Sequence, residues 1–487
     1  MEYLQELIKI NKSANVPVYL QITNAIIHQI RNGRLRQGLK LPGSRRLAGL
    51  LAINRMTVVA AYDELQAQGW IDQRPRKGSF VRDELPVLVP KSIAEADGID
   101  IPPKGIPFVI NKDLGVFPYI NASKGGLLRI DDGFPDPRLA PIEELSRSMR
   151  GLSKIPGYKK HLGYGETKGS MALREVLANF LNDTRGLPVT TENLLITRGA
   201  IMGIYLAARV ITQAGDHVVM SEPGFRFARE LFNQLQLNIN KVPVDEHGLD
   251  VNAVERICKT RNIRFVYIVP HHHYPTTVTL PPERRIRLLE LAKIYNFAII
   301  EDDFDYDFHF ISMPMMPMAS IDRHGSVVYI GTLTKTLAPA IRIGFLTATE
   351  KFVGHVTSYR KSIDFQGDTF LELAIASLYR DRTIEKHIKK SLKVYRSRRD
   401  HFCQLLKDEL GEKVSFKIPD GGMSVWTKFN GIDLKKLSAE AGKKGLKISD
   451  GTAYDSMEMK YNSIRMGFAS LNISEQEQVV EILKSCI

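Results

Sequence analysis

The strongest constraint on the fold is a rhythm. From about residue 128 onward, short apolar runs at 217–220, 265–269, 297–300, 327–330 and 341–346 alternate with amphipathic stretches of helical length such as 283–295. Repetition of strand-like and helix-like segments predicts βαβ units, and so an α/β domain with a mostly parallel sheet and helices on both faces. Open sheets of this kind collect ligands beyond the carboxyl ends of their strands. Two polar residues fall at such ends: Asp302, which follows Ile299, Ile300 and Glu301, and Lys335, which follows the run ending at Ile330. From about 370 the pattern changes to long basic amphipathic helices and then to an α+β alternation, which predicts a small C-terminal subdomain over about 370–487.

The front of the chain reads differently. Of a net charge of +13, residues 1–82 hold 13 Lys/Arg against 5 Asp/Glu, a local excess that favours a polyanionic partner such as double-stranded DNA. Ile22, Ile26 and Ile30 recur at helical spacing after Pro17, with Gly33 as the stop. Leu41, Pro42, Gly43 and Ser44 supply a turn with Ser44 as N-cap, before a short helix over 45–51 that turns Leu47, Leu50 and Leu51 inward. A break at Ile53 and Asn54 precedes a third helix over 57–68, with Val58, Ala61, Tyr62 and Leu65 on its core face and Gly69 as its end. Residues 70–73 and 78–81 then flank a basic tip of Arg74, Pro75, Arg76 and Lys77, which predicts a hairpin.

Two short helices and a wing make a winged helix-turn-helix over 1–82. Its third helix would enter the major groove, placing Asn54, Arg55 and Thr57 at bases and phosphates, while Arg45, Arg74, Arg76 and Lys77 would hold phosphates. A winged helix used for protein contacts is the alternative. Residues 83–127, rich in Pro, Gly and isolated charges, read as a linker, and 128–487 as the large domain. Cys258, Cys403 and Cys486 are scattered, the first 16 residues contain acidic groups, and no stretch reaches about 18 uninterrupted apolar residues. A cytoplasmic protein with no membrane partner is expected.

A strand-end lysine beside a strand-end carboxylate suits pyridoxal 5′-phosphate. The amine condenses with the aldehyde, and the carboxylate keeps the ring nitrogen protonated so that the ring can draw electrons. Each residue alone has a plainer reading as a helix cap or solvated turn. Three consecutive histidines, His271 to His273, invite a metal reading, but neighbours along a strand face opposite ways and cannot all reach one ion, so no metal is expected. The basic run 382–399 is read as a solvated helix face, with DNA contact as the lesser alternative.

Pro17/Tyr19, Gly33/Leu35/Gly38, Leu41/Pro42/Arg45, Asn54/Arg55/Thr57, Ala61/Tyr62 and Gly78/Phe80/Val81 follow in order the pattern of a GntR-type winged helix. The region from 130 resembles fold-type I pyridoxal-phosphate enzymes of the aminotransferase type, and the fusion resembles the MocR subfamily of GntR regulators. The resemblance implies that Lys335 bonds the cofactor covalently and that Asp302 partners its ring nitrogen. It implies Arg342 and Thr332 with the backbone at Gly199, Ala200 and Ile201 around the phosphate, Thr334 also at the cofactor, Phe225 stacked on the ring, Tyr274 near the ring oxygen, and Tyr164 reaching across a homodimer to the phosphate. Arg465 would take an effector's carboxylate. Phe304 stands where the family's motif gives a tyrosine, so one hydrogen bond to the cofactor is lost and the imine on Lys335 would hold its proton more firmly. His273 and Thr277 replace a common glutamine and glycine, and His273 is expected beside the cofactor. The reading is a transcription regulator that binds paired operator half-sites and senses an amino acid, an amine or pyridoxal phosphate. A working aminotransferase with an accessory DNA module is the alternative.

Overall fold

The computed structural model describes residues 7–11, 16–75, 77–85, 108–109, 128–311, 315–455 and 459–487, so most of the expected linker and Arg76 lie outside the described residues. The chain divides into two compact units, 1–110 and 111–487.

In the first unit, α1 (Val18–Arg31), α2 (Ser44–Leu51) and α3 (Arg55–Ala67) precede an antiparallel pair, β1 (Ile71–Arg74) and β2 (Gly78–Val81). Ile22, Ile26 and Ile30 of α1 meet Leu47 of α2 and Val58, Ala61, Tyr62 and Leu65 of α3 in one core, closed by Trp70. Two local expectations fail. Gly43, not Ser44, is the N-cap of α2, and its core face carries Leu47 and Ala48 with Leu51 partly buried against them, while Leu50 is not among the residues packed there. The predicted break is sharp: Ala52 is left-handed at φ 53°, and Asn54 caps α3 by accepting a hydrogen bond from Met56 N–H at 2.8 Å.

The second unit opens with β3 (Leu128–Arg129) and then builds a sheet from β4 (Leu194–Thr197), β5 (His217–Glu222), β6 (Asn238–Asp245), β7 (Gly248–Leu249), β8 (Ile263–Ile268), β9 (Ala298–Asp302), β10 (Val327–Thr332) and β11 (Gly344–Thr347). Their order is β4-β11-β10-β9-β8-β5-β6-β7, and the central pairs are parallel while β11 and β7 run against their neighbours. The apolar runs follow from burial on both faces. In β10, Val327 and Tyr329 join one core and Val328 and Ile330 the other; in β8, Val266 and Ile268 oppose Phe265 and Tyr267. The expected strand at 341–346 splits into a single turn, Pro339–Ile341, and β11.

A smaller body follows. α4 (Thr383–Leu410) is longer than the basic run suggested, and lies against β12 (Val414–Phe416), β13 (Ser424–Phe429), β14 (Leu446–Lys447) and β15 (Ser463–Gly467). Its core gathers Tyr395, Phe402, Val425, Ile464, Met466 and Val480, with Phe308 and Phe310 from the loop after β9. The helix Thr369–Arg380 instead places Ala374, Ile375 and Leu378 in a core of the large sheet, so the smaller body begins within α4 rather than near 370.

Candidate functional site

β9 and β10 are paired in parallel with Asp302 opposite Ile330, so the strand end bearing Asp302 and the turn bearing Lys335 leave the sheet at the same edge. A cavity of about 330 Å³ opens there. Lys335, Asp302 and Arg342 line it, as do Thr332 and Thr334 of the turn after β10. Phe225, Phe304 and Tyr274 form aromatic walls, with Ala200 and Ile201 at a helix start. Phe225 and Tyr274 meet edge-on at 5.1 Å between centroids.

The electrostatics suit a cofactor with a ring nitrogen and a phosphate. Burial raises the Asp302 carboxyl to about 7, although Tyr267 donates to its Oδ2 at 2.7 Å. The other oxygen, Oδ1, is buried with no partner, which a protonated ring nitrogen would satisfy. Lys335 is lowered to about 8, mainly by burial and then by the Arg465 guanidinium, which brings a nucleophilic free amine close to neutral pH. Gly199 precedes the helix Ala200–Ile211 at φ 81°, and a Cβ there would stand 2.7 Å from Arg342 Nη2. At that φ a side chain would be strained, and it would push the guanidinium away from the amides of the helix N-terminus, an arrangement that binds phosphate. The residues present therefore fit pyridoxal phosphate.

Three expected residues do not line the cavity. Gly199 acts from behind it through Arg342. Tyr164 is 85% exposed and rests on Phe365, with ring centroids 4.8 Å apart. Arg465, on β15, is buried with its guanidinium 5.0 Å from the Tyr274 ring centre and 6.0 Å from that of Phe304. His273 is not at the wall either: its two nitrogens bond Ser221 Oγ (2.9 Å) and Thr276 Oγ1 (2.8 Å), and burial lowers it to about 3, so it is neutral. The three histidines lie past the end of β8 rather than along a strand, and His271 and His272 pair separately with Asp303 (3.0 Å) and Asp305 (2.9 Å). Thr277, in the place of a common glycine, adopts φ 62°, the left-handed conformation that glycine takes most readily.

Sequence reasoning missed Tyr267, Asp132, Phe134, Phe227 and Val269, all of which line the cavity. Tyr267 was within reach, being in the strand next to β9. Asp132 and Phe134 carried no local signal, because they belong to a segment 200 residues upstream of Lys335 in the chain. That segment, 131–134, is a strap across the cavity. Asp132 accepts from the hydroxyls of Tyr274 (3.2 Å) and Tyr454 (2.7 Å), its carbonyl accepts from Arg465 Nε (2.8 Å), and the Gly133 carbonyl accepts from Lys335 Nζ.

In the first unit, Arg45, Asn54, Arg55 and Thr57 share one concavity of about 630 Å³ at the start of α3. Arg55 Nε approaches Ser44 Oγ at 3.4 Å. Arg74 on the wing lies 4.9 Å from the Phe80 ring centre and 3.7 Å from Asp83, and Lys77 is exposed at the tip.

The parallel sheet, the strand-end lysine and carboxylate, and the winged helix define a DNA-binding module joined to a pyridoxal-phosphate-type domain. Residues 157–483 match the aminotransferase class I and II family and residues 18–81 the gntR family of bacterial regulatory proteins. The chain belongs to the aminotransferase class I and II family, in the branch fused to a GntR helix-turn-helix. It is 29% identical over 474 residues to an uncharacterized HTH-type transcriptional regulator, YdfD, of Bacillus subtilis, covering 96% of this chain and 95% of that protein. It is 24% identical to the probable rhizopine catabolism regulatory protein MocR of Rhizobium meliloti, covering 86% and 83%. Among solved structures, a Pyrococcus horikoshii kynurenine aminotransferase superposes with a TM-score of 0.69 at 28% identity, covering 74% of this chain and 91% of that one. The helix-turn-helix makes this a DNA-binding regulator, and its fold family depends on pyridoxal phosphate. Among the described residues, no helix is long and apolar enough to cross a membrane.

Proposed function

We propose that this chain is a cytoplasmic regulator in which Lys335 bonds pyridoxal phosphate covalently, an amino acid or amine alters that site, and the change shifts the affinity of residues 1–82 for paired DNA half-sites. The observation that carries the reading is Asp302 with its unpartnered buried Oδ1 in the same cavity as Lys335, in a chain whose residues 18–81 match the gntR family. The cofactor, when bound, supplies an electron sink for bonds at an amino acid's α-carbon. Asp302 would keep the ring nitrogen protonated, Arg342 with Thr332 and the 199–201 amides would hold the phosphate, and Phe225 would face the ring. Arg465 would orient a carboxylate by a two-pronged contact. Residues 128–487 would act as a homodimer, with Tyr164 completing the partner's site, and 83–127 would join each to its DNA module.

Sensing requires a ligand that favours one arrangement over another, since equal affinity for both shifts nothing. The test is a visible absorbance spectrum of the full chain with pyridoxal phosphate, beside Lys335→Ala, then DNA binding to its own upstream region with and without amino acids. A band absent from the variant, with DNA affinity shifted by one ligand and no sustained oxo-acid release, supports the regulator. A second reading, a turning-over aminotransferase, is favoured by the Lys335 amine near 8, a base available close to neutral pH. Repeated turnover with an oxo-acid acceptor and no DNA response would select it.

A further inference from the structure

We infer that the small molecule sensed at this site is an α-amino acid with a bulky apolar side chain, preferably aromatic. The inference rests on the cofactor-site reading above and names the class of ligand for that site. Once Asp302, Thr332, Thr334, Lys335 and Arg342 are committed to the cofactor, with Phe225, Phe304 and Tyr274 against its ring, the side chains left for a ligand include Phe134, Phe227 and Val269, with Asp132.

Two of these rings are partly exposed at the cavity. Phe134 lies with its ring centre 4.1 Å from Lys335 Nζ, at the point where chemistry on an amino group would begin, yet it is 37% exposed. Phe227 is 41% exposed, with its ring centre 5.6 Å from that of Phe225 and its plane tilted by 44°, so it adds apolar surface beside the cofactor's seat rather than extending it. Aromatic rings in offset or edge-on contact add attraction beyond the area they bury, and both phenyls would lose water to an apolar guest.

Charge points the same way. Among the described residues lining the cavity, the one charged group not committed to the cofactor is Asp132. Its two carboxylate oxygens already accept from Tyr454 and Tyr274. Arg465 is suited to the α-carboxylate and is held beside the Tyr274 ring. A second carboxylate on the ligand would face the Asp132 carboxylate with no counter-charge of its own, and a terminal ammonium would have to compete with two tyrosine hydroxyls for that carboxylate, so both are costly to take from water. A short side chain would leave Phe134 and Phe227 uncovered.

The test uses the full chain loaded with pyridoxal phosphate, titrated in parallel with phenylalanine, leucine, alanine, glutamate and lysine. The visible band and the affinity for its upstream DNA are the two readouts. Phenylalanine is expected to half-saturate both at a concentration at least about tenfold below glutamate, lysine or alanine. Phe227→Arg is expected to turn the order toward glutamate while the cofactor band persists. Equal or better response to glutamate or lysine in the wild-type chain overturns the inference, as does an unchanged order in Phe227→Arg. If the wild-type chain forms no band with pyridoxal phosphate, the cofactor-site reading falls and this inference with it. A band with no preference among amino acids removes the inference alone.

Discussion

At the scale of single residues, the two groups that define the site titrate close to neutral pH, and each gives a measurable consequence. Burial lifts the Asp302 carboxyl from the usual carboxylate range to about 7, so between about pH 4 and 7 the folded chain holds a proton that the unfolded chain releases. Stability from this group is therefore present at low pH and lost as pH rises through about 7. Asp302→Asn removes the buried charge, so without cofactor the variant should be more stable than wild type at about pH 8, by on the order of a few kcal/mol in denaturant melts. Its affinity for pyridoxal phosphate should fall by at least about tenfold, since a neutral amide no longer holds the ring nitrogen protonated. Lys335 has the opposite sign. Its amine is lowered to about 8, so the rate of cofactor uptake should rise with pH and level off above about 8, where an ordinary lysine would still be protonated; stopped-flow absorbance would show it. Taken singly each residue had a plainer reading as a cap or turn, and both were legible in the sequence only through their joint fit to the pattern of fold-type I pyridoxal-phosphate enzymes. Tyr267 was not, since nothing in the chain says that its hydroxyl meets Asp302 until strand order is known.

At the scale of elements, helix starts carry most of the recognition. The helix Ala200–Ile211 presents its first amides through Gly199, whose φ of 81° and closeness to Arg342 leave no room for a side chain. Gly199→Ala should therefore weaken cofactor binding at least about tenfold, as judged by band intensity against added pyridoxal phosphate, with little loss of helix content. At α3 the cap coincides with the proposed DNA face. Asn54 spends its Oδ1 on Met56 N–H, so Arg55 beside it is the cleaner probe: Arg55→Ala should lower DNA affinity and reduce the slope of its salt dependence by about 1, measured by fluorescence anisotropy. Helices with a clear apolar stripe, such as α1 and α3, could be read directly. The eight residues of α2 could be read only in part, because two turns with apolar residues at Leu47, Ala48, Leu50 and Leu51 do not say which of them the core takes.

The whole molecule is two compact units with separate cores, and only the second contains the cavity. Calorimetry should accordingly show two transitions, and pyridoxal phosphate should raise the one belonging to 111–487 by about 2.7 kcal/mol at 100 times its Kd, leaving the other in place. The βαβ alternation announced the larger unit, but not that a segment preceding the sheet lines the cavity. Long-range contacts of that kind leave no trace in local pattern. The strap at 131–134 has its own consequence. Lys335 holds it by the Gly133 carbonyl and Arg465 holds it by the Asp132 carbonyl, and these are the side chains that cofactor and amino acid would respectively claim. Whichever guest arrives first loosens the hinge of residues that the other must also displace, so the two should bind with positive heterotropic cooperativity. By reciprocity, the amino acid then tightens the cofactor by the same factor as the cofactor tightens the amino acid, and a cell short of vitamin would also be partly deaf to the metabolite.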